Sequence, residues 1–212
     1  MIPILLYCEG VTDFEPICTL IRKIVPDREL SITRKTRSEL RAETKVLSNR
    51  RGIHKSVSDI DRLFMIAKKT KCRHIAYHQD ADGRYDDVYS RIYECFSEII
   101  KHDYHCLAIV PKEMIESWLL ADGNAFSPPV KQADLPKKPE EIWGAKEDPT
   151  GNRPKYYLER VLIGIGQQAN RETYADIARN MSIDILLKRC PKSFGQFHAD
   201  IQTFLPAETC PR

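Results

Sequence analysis

Hydrophobic positions along the chain fall into two textures. Ile4, Leu5, Leu6 and Tyr7 run together without alternation, as does the segment HIAYHQDAD from His74 and YHCLAIVP from Tyr104. Unbroken apolar runs this short are the mark of strands covered on both faces. Between them the apolar positions recur at helical spacing: Phe14, Ile17, Cys18, Ile21, Ile24 and Val25 in one stretch, Val57, Ile60, Leu63, Phe64 and Ala67 in the next, then Tyr85, Tyr89, Ile92, Tyr93, Phe96, Ile99 and Ile100. Thr12 and Glu15 fit a T-x-x-E capping box before the first of these helices. Residues 30–34 (LSITR) add a short strand, and EMIESWLLAD after Pro111 returns to helix. Strands alternating with helices predict an α/β fold with a largely parallel central sheet flanked by helices.

Beyond Asp122 the texture changes. FSPPVKQADLPKKPEEIWGAKEDPTGNRPK is rich in proline and lysine and predicts a long loop with at most one short helix. Helical patterns resume at Tyr156, Thr173, Ile183 and Phe194. The chain divides on this basis into residues 1–122, the α/β part, and residues 123–212, a loop followed by a small helical extension.

Composition changes the picture only a little. A length of 212 residues with 42% hydrophobic content is enough for a buried core. No apolar run approaches the roughly 18 residues of a membrane span, and the N-terminus has no basic secretion signal, so the expectation is a cytoplasmic protein without membrane contact. Seven cysteines, none in a CxxC pair, lie mostly in apolar segments and read as reduced packing residues.

The chemistry is suggested by acids at strand ends. Glu9 and Asp13 follow the first strand, Asp80 and Asp82 follow the strand from His74, and Glu113 and Glu116 follow Pro111. If these strands are neighbours in a parallel sheet, the carboxylates converge on one edge, where they raise one another's pKa unless a cation intervenes. Oxygen donors without convergent His or Cys suit Mg²⁺ or Mn²⁺, and several carboxylates suit two ions. Of the last pair Glu116 is the candidate ligand and Glu113 the solvent-facing acid. Each motif also has a plain structural reading. Glu9 would cap a helix or pair with arginine, and DADGR would be a turn with Asp as acceptor and Gly at positive φ. His74, His78, Trp118 and Trp143 read as packing or hydrogen-bonding residues.

In this order and context, Glu9-Gly10-x-x-Asp13 and Asp80-x-Asp82 resemble the Toprim domain of primases, topoisomerases and OLD-type nucleases over about the first 120 residues. The resemblance implies a Toprim-like Rossmannoid fold in which the first glutamate and the DxD pair position Mg²⁺ for phosphoryl transfer. It also implies a further acid at Asp13, another at Glu116, and a distal lysine at Lys155 or, in GAKED, Lys146. PKEMIESWLLAD resembles small bacterial Toprim-like proteins associated with ABC-type ATPases and phage defence. The chain has no GxxxxGK[ST] sequence, so such an ATPase would be a separate partner.

Net charge is only +3, but between residues 34 and 55 eight cations (Arg34, Lys35, Arg37, Arg41, Lys45, Arg50, Arg51 and Lys55) face two acids. That excess suits a phosphate backbone, with DNA favoured over RNA; the plain reading is a solvated surface. The resulting expectation is a Mg²⁺-dependent nuclease with Glu9, Asp13, Asp80, Asp82, Glu116 and Lys155 in the site. The alternatives are a non-catalytic regulatory or interaction subunit that binds an ATPase or another protein, and a small-molecule phosphatase. Self-association is left open.

Overall fold

The computed structural model describes residues 1–49 and 58–205. Strands β1 (Ile2–Tyr7), β2 (Leu30–Lys35), β3 (His74–His78) and β4 (His105–Ile109) form one sheet in the order β2-β1-β3-β4. All three pairings are parallel, with Tyr7 opposite Lys35 on one side and Tyr77 on the other. The expected α/β fold with a parallel sheet flanked by helices is therefore observed. Helices α1 (Phe14–Ile24), α2 (Arg37–Asn49), α3 (Asp59–Thr70) and α4 (Tyr85–Ile100) alternate with the strands, and α5 (Ile115–Leu119) follows β4.

Successive residues of a strand point to opposite faces, and both faces are covered. Ile4, Leu6, Cys8, Ala76, Leu107 and Ile109 face a core shared with α1, α5 and the C-terminal helices. Leu5, Tyr7, Ile75, Tyr77, Ala108 and Val110 face a second core built by α3 and α4. This two-sided burial is why the strands are continuously apolar in sequence. Tyr7 and Tyr77, paired across β1 and β3, stack with ring centroids 4.6 Å apart.

The C-terminal part adds α6 (Pro154–Gly164), α7 (Arg171–Asn180), α8 (Ile183–Arg189) and α9 (Ser193–Phe204). Helix α7 packs on α1, α9 on β4, and α6 on α5. Phe194 and Phe197 of α9 close on the fully buried Trp118, the first edge-on at 5.2 Å and the second stacked at 5.5 Å. Each such aromatic contributes roughly 1.5–3 kcal/mol through burial.

Local expectations fail in four places. The capping box is absent: the N-cap of α1 is Asp13, whose side chain makes no cap hydrogen bond, and Glu15 pairs instead with Arg171 of α7. EMIESWLLAD yields only the five residues of α5. The 123–153 loop contains three 3₁₀ turns, at Gly123–Ala125, Gln132–Asp134 and Pro139–Glu141. Trp143 is 69% exposed, although its residue type suggested packing. Cys8, Cys18, Cys72 and Cys190 are buried and Cys95 and Cys106 half-buried, all with free thiols, while Cys210 and Val57 lie outside the described residues. Among the described residues no helix is long and apolar enough to cross a membrane.

Candidate functional site

From β1 the chain crosses to β2 on one side and then returns to β3 on the other, so β1 and β3 flank a topological switch point. A crevice opens at the carboxyl ends of strands that diverge in this way, and ligands of open α/β sheets bind there. Glu9 and Asp13 follow β1 at this edge, Asp80 follows β3, and Glu116 lies on α5 after β4.

The loop after β1 is shaped by one close approach. The Gly10 N–H donates to Asp13 Oδ2 at 2.8 Å, and a Cβ on residue 10 would lie 2.4 Å from that oxygen. Glycine is required here for the carboxylate to fold back under the backbone. The Thr12 hydroxyl donates to Asp13 Oδ1 at 3.1 Å. Glu9 is exposed at the rim, yet its carboxylate lies within hydrogen-bonding reach of the Asp80 N–H. Partial desolvation and the Asp80 charge raise its pKa above the usual value.

Between these acids sits His78, the last residue of β3 and fully buried. Its Nδ1 is 3.6 Å from Asp13 Oδ2 and its Nε2 3.3 Å from Asp80 Oδ1, close enough for ion pairing but not aligned for hydrogen bonds. Burial pulls the imidazole down; Asp80, Asp13 and Glu9 outweigh it and hold the ring above its ordinary pKa. Burial raises Asp80, and Asp13 and Asp82 add to that rise. Burial also pushes Glu116 up to about 8, with Asp80 and Asp13 adding to the effect and Lys155 opposing it. Lys155 is exposed near the start of α6, the helix packed on α5.

Asp82 takes a different course from Asp80. The turn after β3 is tied to the segment after β4: the Ala81 N–H donates to Pro111 O, Asp82 N–H to Glu113 O and Gly83 N–H to Lys112 O, at 3.0–3.2 Å. Asp82 and Gly83 have φ of 45° and 79°, so DADGR is the positive-φ turn of the plain reading. Asp82 is exposed, and Arg153 Nη2 donates to its Oδ1 at 3.0 Å. Glu113 is not solvent-facing: it is 7% exposed, beneath Gly83, with its pKa pushed up to about 7 by burial and by Asp82. The structure thus sets Glu9, Asp13 and Asp80 around His78, with Glu116 within electrostatic reach of Asp13 and Asp80, and sets Asp82 and Glu113 beside Arg153.

The donor chemistry suits a hard divalent cation. Glu9, Asp13, Asp80 and Glu116 supply oxygens, and Asp80 Oδ1 is buried without a hydrogen-bond partner, an atom a cation would satisfy. As the side chains stand, no three His, Cys, Asp or Glu groups among the described residues are close enough together to hold an ion. His78 lies between Asp13 and Asp80, so the carboxylates would have to draw together to enclose one.

Several cations of the basic segment are engaged internally. Arg34 lies over the Phe14 ring, Lys35 pairs with Glu43, and Arg37 donates to Asp59 at 2.7 Å. Arg41 is exposed on α2. The Lys45 side chain and Arg50, Arg51 and Lys55 lie outside the described residues.

Sequence reasoning read His78 as a packing or hydrogen-bonding residue, with no place in the site, and did not single out Arg153. A usable signal for the first was its position two residues before Asp80 in the same run; the second sits 71 residues from Asp82, with no local signature. Comparison of the chain with protein-family models, with curated proteins and with solved structures gives no match.

Proposed function

We propose that this chain is a divalent-cation-dependent hydrolase of nucleic acid phosphodiester bonds, DNA before RNA. The observation that carries this reading is the convergence of Glu9, Asp13, Asp80 and Glu116 at the β1/β3 switch point, where Glu116 is held largely protonated at neutral pH by burial and by its acidic neighbours. A carboxyl cluster that holds its own protons exchanges them for a cation when one binds. Glu9, Asp80 and Glu116 would hold it, with Asp13 kept beside them by Gly10. Bound there, Mg²⁺ or Mn²⁺ would neutralise the phosphate and lower the pKa of water.

The residues of the chain then have separate tasks. Glu9, at the rim, is engaged in holding the cation, so the proton of the attacking water passes to solvent as the water oxygen bonds to phosphorus and an ester P–O bond breaks. Lys155, whose charge reaches Glu116 from α6, meets the phosphate oxygens, and the leaving oxygen is protonated from solvent. A separate ABC-type ATPase remains the proposed partner.

One observation favours a second reading, a non-catalytic interaction module. His78 already stands between Asp13 and Asp80, with its affinity for a proton raised by them, where an internal counter-ion would sit. Incubation with plasmid, linear DNA and RNA in Mg²⁺, Mn²⁺ or EDTA separates the two. Hydrolysis predicts cation-dependent cleavage that drops about 10²-fold or more in Glu9→Gln, together with Mn²⁺-induced thermal stabilisation of the wild type that shrinks in the variant. Absent cleavage, with melting indifferent to Mn²⁺, removes the hydrolase reading and leaves the interaction module.

A further inference from the structure

Beside Asp82 lies a cleft of about 290 Å³ whose walls include Glu113, Trp143, Lys146 and Arg153. Its outer wall is the 143–153 loop, and several contacts hold that loop in shape. Gly144 lies so close to the far end of the loop that a Cβ there would be 2.5 Å from the Arg153 nitrogen. The Tyr156 hydroxyl donates to Lys146 O at 2.7 Å, and Arg160 Nη1 donates to Pro149 O and Gly151 O at 3.2 and 2.8 Å. Asp148 Oδ1 accepts from both the N–H and the hydroxyl of Thr150. The exposed indole of Trp143 is therefore carried on a braced loop next to the acids of the sheet edge.

A planar apolar face in an otherwise polar cleft suits one kind of occupant. A protein partner would bring a contiguous apolar patch, whereas the other residues lining this cleft are charged or small. A nucleobase presents a π-face with polar edges and is attached to a phosphate. Arg153 has five N–H donors, of which the contact with Asp82 uses one, and the exposed Lys146 adds an ammonium. We propose that this cleft is a nucleobase subsite, in which an unpaired base of the substrate strand stacks on Trp143 while Arg153 and Lys146 meet the adjoining phosphates. The substrate class that follows is single-stranded nucleic acid or a frayed end, since a base within a duplex has no free face to offer. The inference rests on the nucleic-acid reading of the neighbouring acids and deepens it.

Binding measured without cleavage tests it. Of the two tryptophans Trp118 is fully buried, so stacking would be reported by Trp143. Titration of wild-type protein in EDTA with a ten-nucleotide oligo-dT should quench the fluorescence. In Trp143→Ala the quench should vanish and affinity, read by anisotropy of a labelled strand, should fall on the order of tenfold. Trp143→Phe should retain most of the affinity, a blunt duplex of equal length should bind less tightly, and melting should be unchanged because the indole is exposed. Equal affinity of wild type and Trp143→Ala, or wild-type fluorescence that ignores saturating oligo-dT, overturns the subsite and leaves Trp143 to a protein surface. The two readings fail separately: Trp143-dependent binding without cleavage in Mg²⁺ or Mn²⁺ keeps the subsite and removes hydrolysis, whereas cleavage by a Trp143→Ala protein that binds as wild type does the reverse.

Discussion

His74 and His78 stand at the two ends of one strand, and their surroundings push them in opposite directions. His78 is held above its ordinary pKa by three carboxylates. His74 has no acid to compensate: its ring stacks on His105 at 4.7 Å, Phe204 meets it edge-on at 5.4 Å, and its Nδ1 is buried without a partner. Desolvation, with His105 adding to it, lowers His74 to about 4. Between 6.5, the ordinary value, and about 4, the unfolded chain binds a proton that the folded chain refuses, so stability is lost as pH falls through that window. Glu113 and Glu116, held up to about 7 and about 8, gain stability over the same range, so the His74 effect is read by comparison: between pH 7 and pH 5 the melting temperature of the wild type should fall by several degrees relative to that of His74→Phe. Parallel pH profiles for the two proteins would show that another group sets the acid limit.

At the scale of elements, the start of α9 depends on two groups from outside it. The Ser193 N–H donates to Glu140 Oε1 at 3.0 Å, and the Ser193 hydroxyl accepts from Trp118 Nε1 at 2.8 Å. The Ser193 side chain thus links α9 to α5 through a fully buried indole. Ser193→Ala leaves that N–H without an acceptor and should cost about 1–3 kcal/mol, with a fall in melting temperature of roughly 2–4 °C for each kcal/mol. The same substitution in a Trp118→Phe background should cost distinctly less; an undiminished cost would mean that the hydroxyl acts elsewhere. Nothing around Ser193 in sequence announces this contact, because its partners are 53 and 75 residues away. What was legible were features written locally. The two-sided burial of β1, β3 and β4 leaves unbroken apolar runs, and acids standing directly after such runs are visible in one pass. The failures are tertiary. Thr12 and Glu15 form a capping pattern, but Asp13 turns back to Gly10 and Glu15 is drawn off by Arg171 of α7. Trp143 has the composition of a core residue and is kept outside by a loop whose path depends on Gly144 meeting Arg153. The two acids of DxD look like one unit, yet Arg153 takes Asp82 while His78 faces Asp80.

For the whole molecule, the face of the sheet made by Ile4, Leu6, Ala76 and Leu107 shares one core with Leu158, Tyr174, Ile177, Phe197 and Ile201. Residues 1–122 expressed alone would leave those positions open to water. They should yield a poorly dispersed amide spectrum and bind a hydrophobic dye, while residues 1–205 should not; a well-dispersed spectrum from 1–122 would show that α1 and α5 suffice as a cover.

The pairing of α9 with β4, and of α7 with α1, also orders events in time. Strand β4 is covered by α9, and α1 by α7, so the contacts that complete this face of the sheet join segments far apart in the chain. Loop closure over such separations is slow, and synthesis at about 5–20 residues per second leaves that face uncovered for on the order of ten to forty seconds. For that interval the nascent chain presents an unsealed apolar sheet, a natural substrate for holding chaperones and the stage at which misassembly is most costly. The arrival of α9 is the step that seals it.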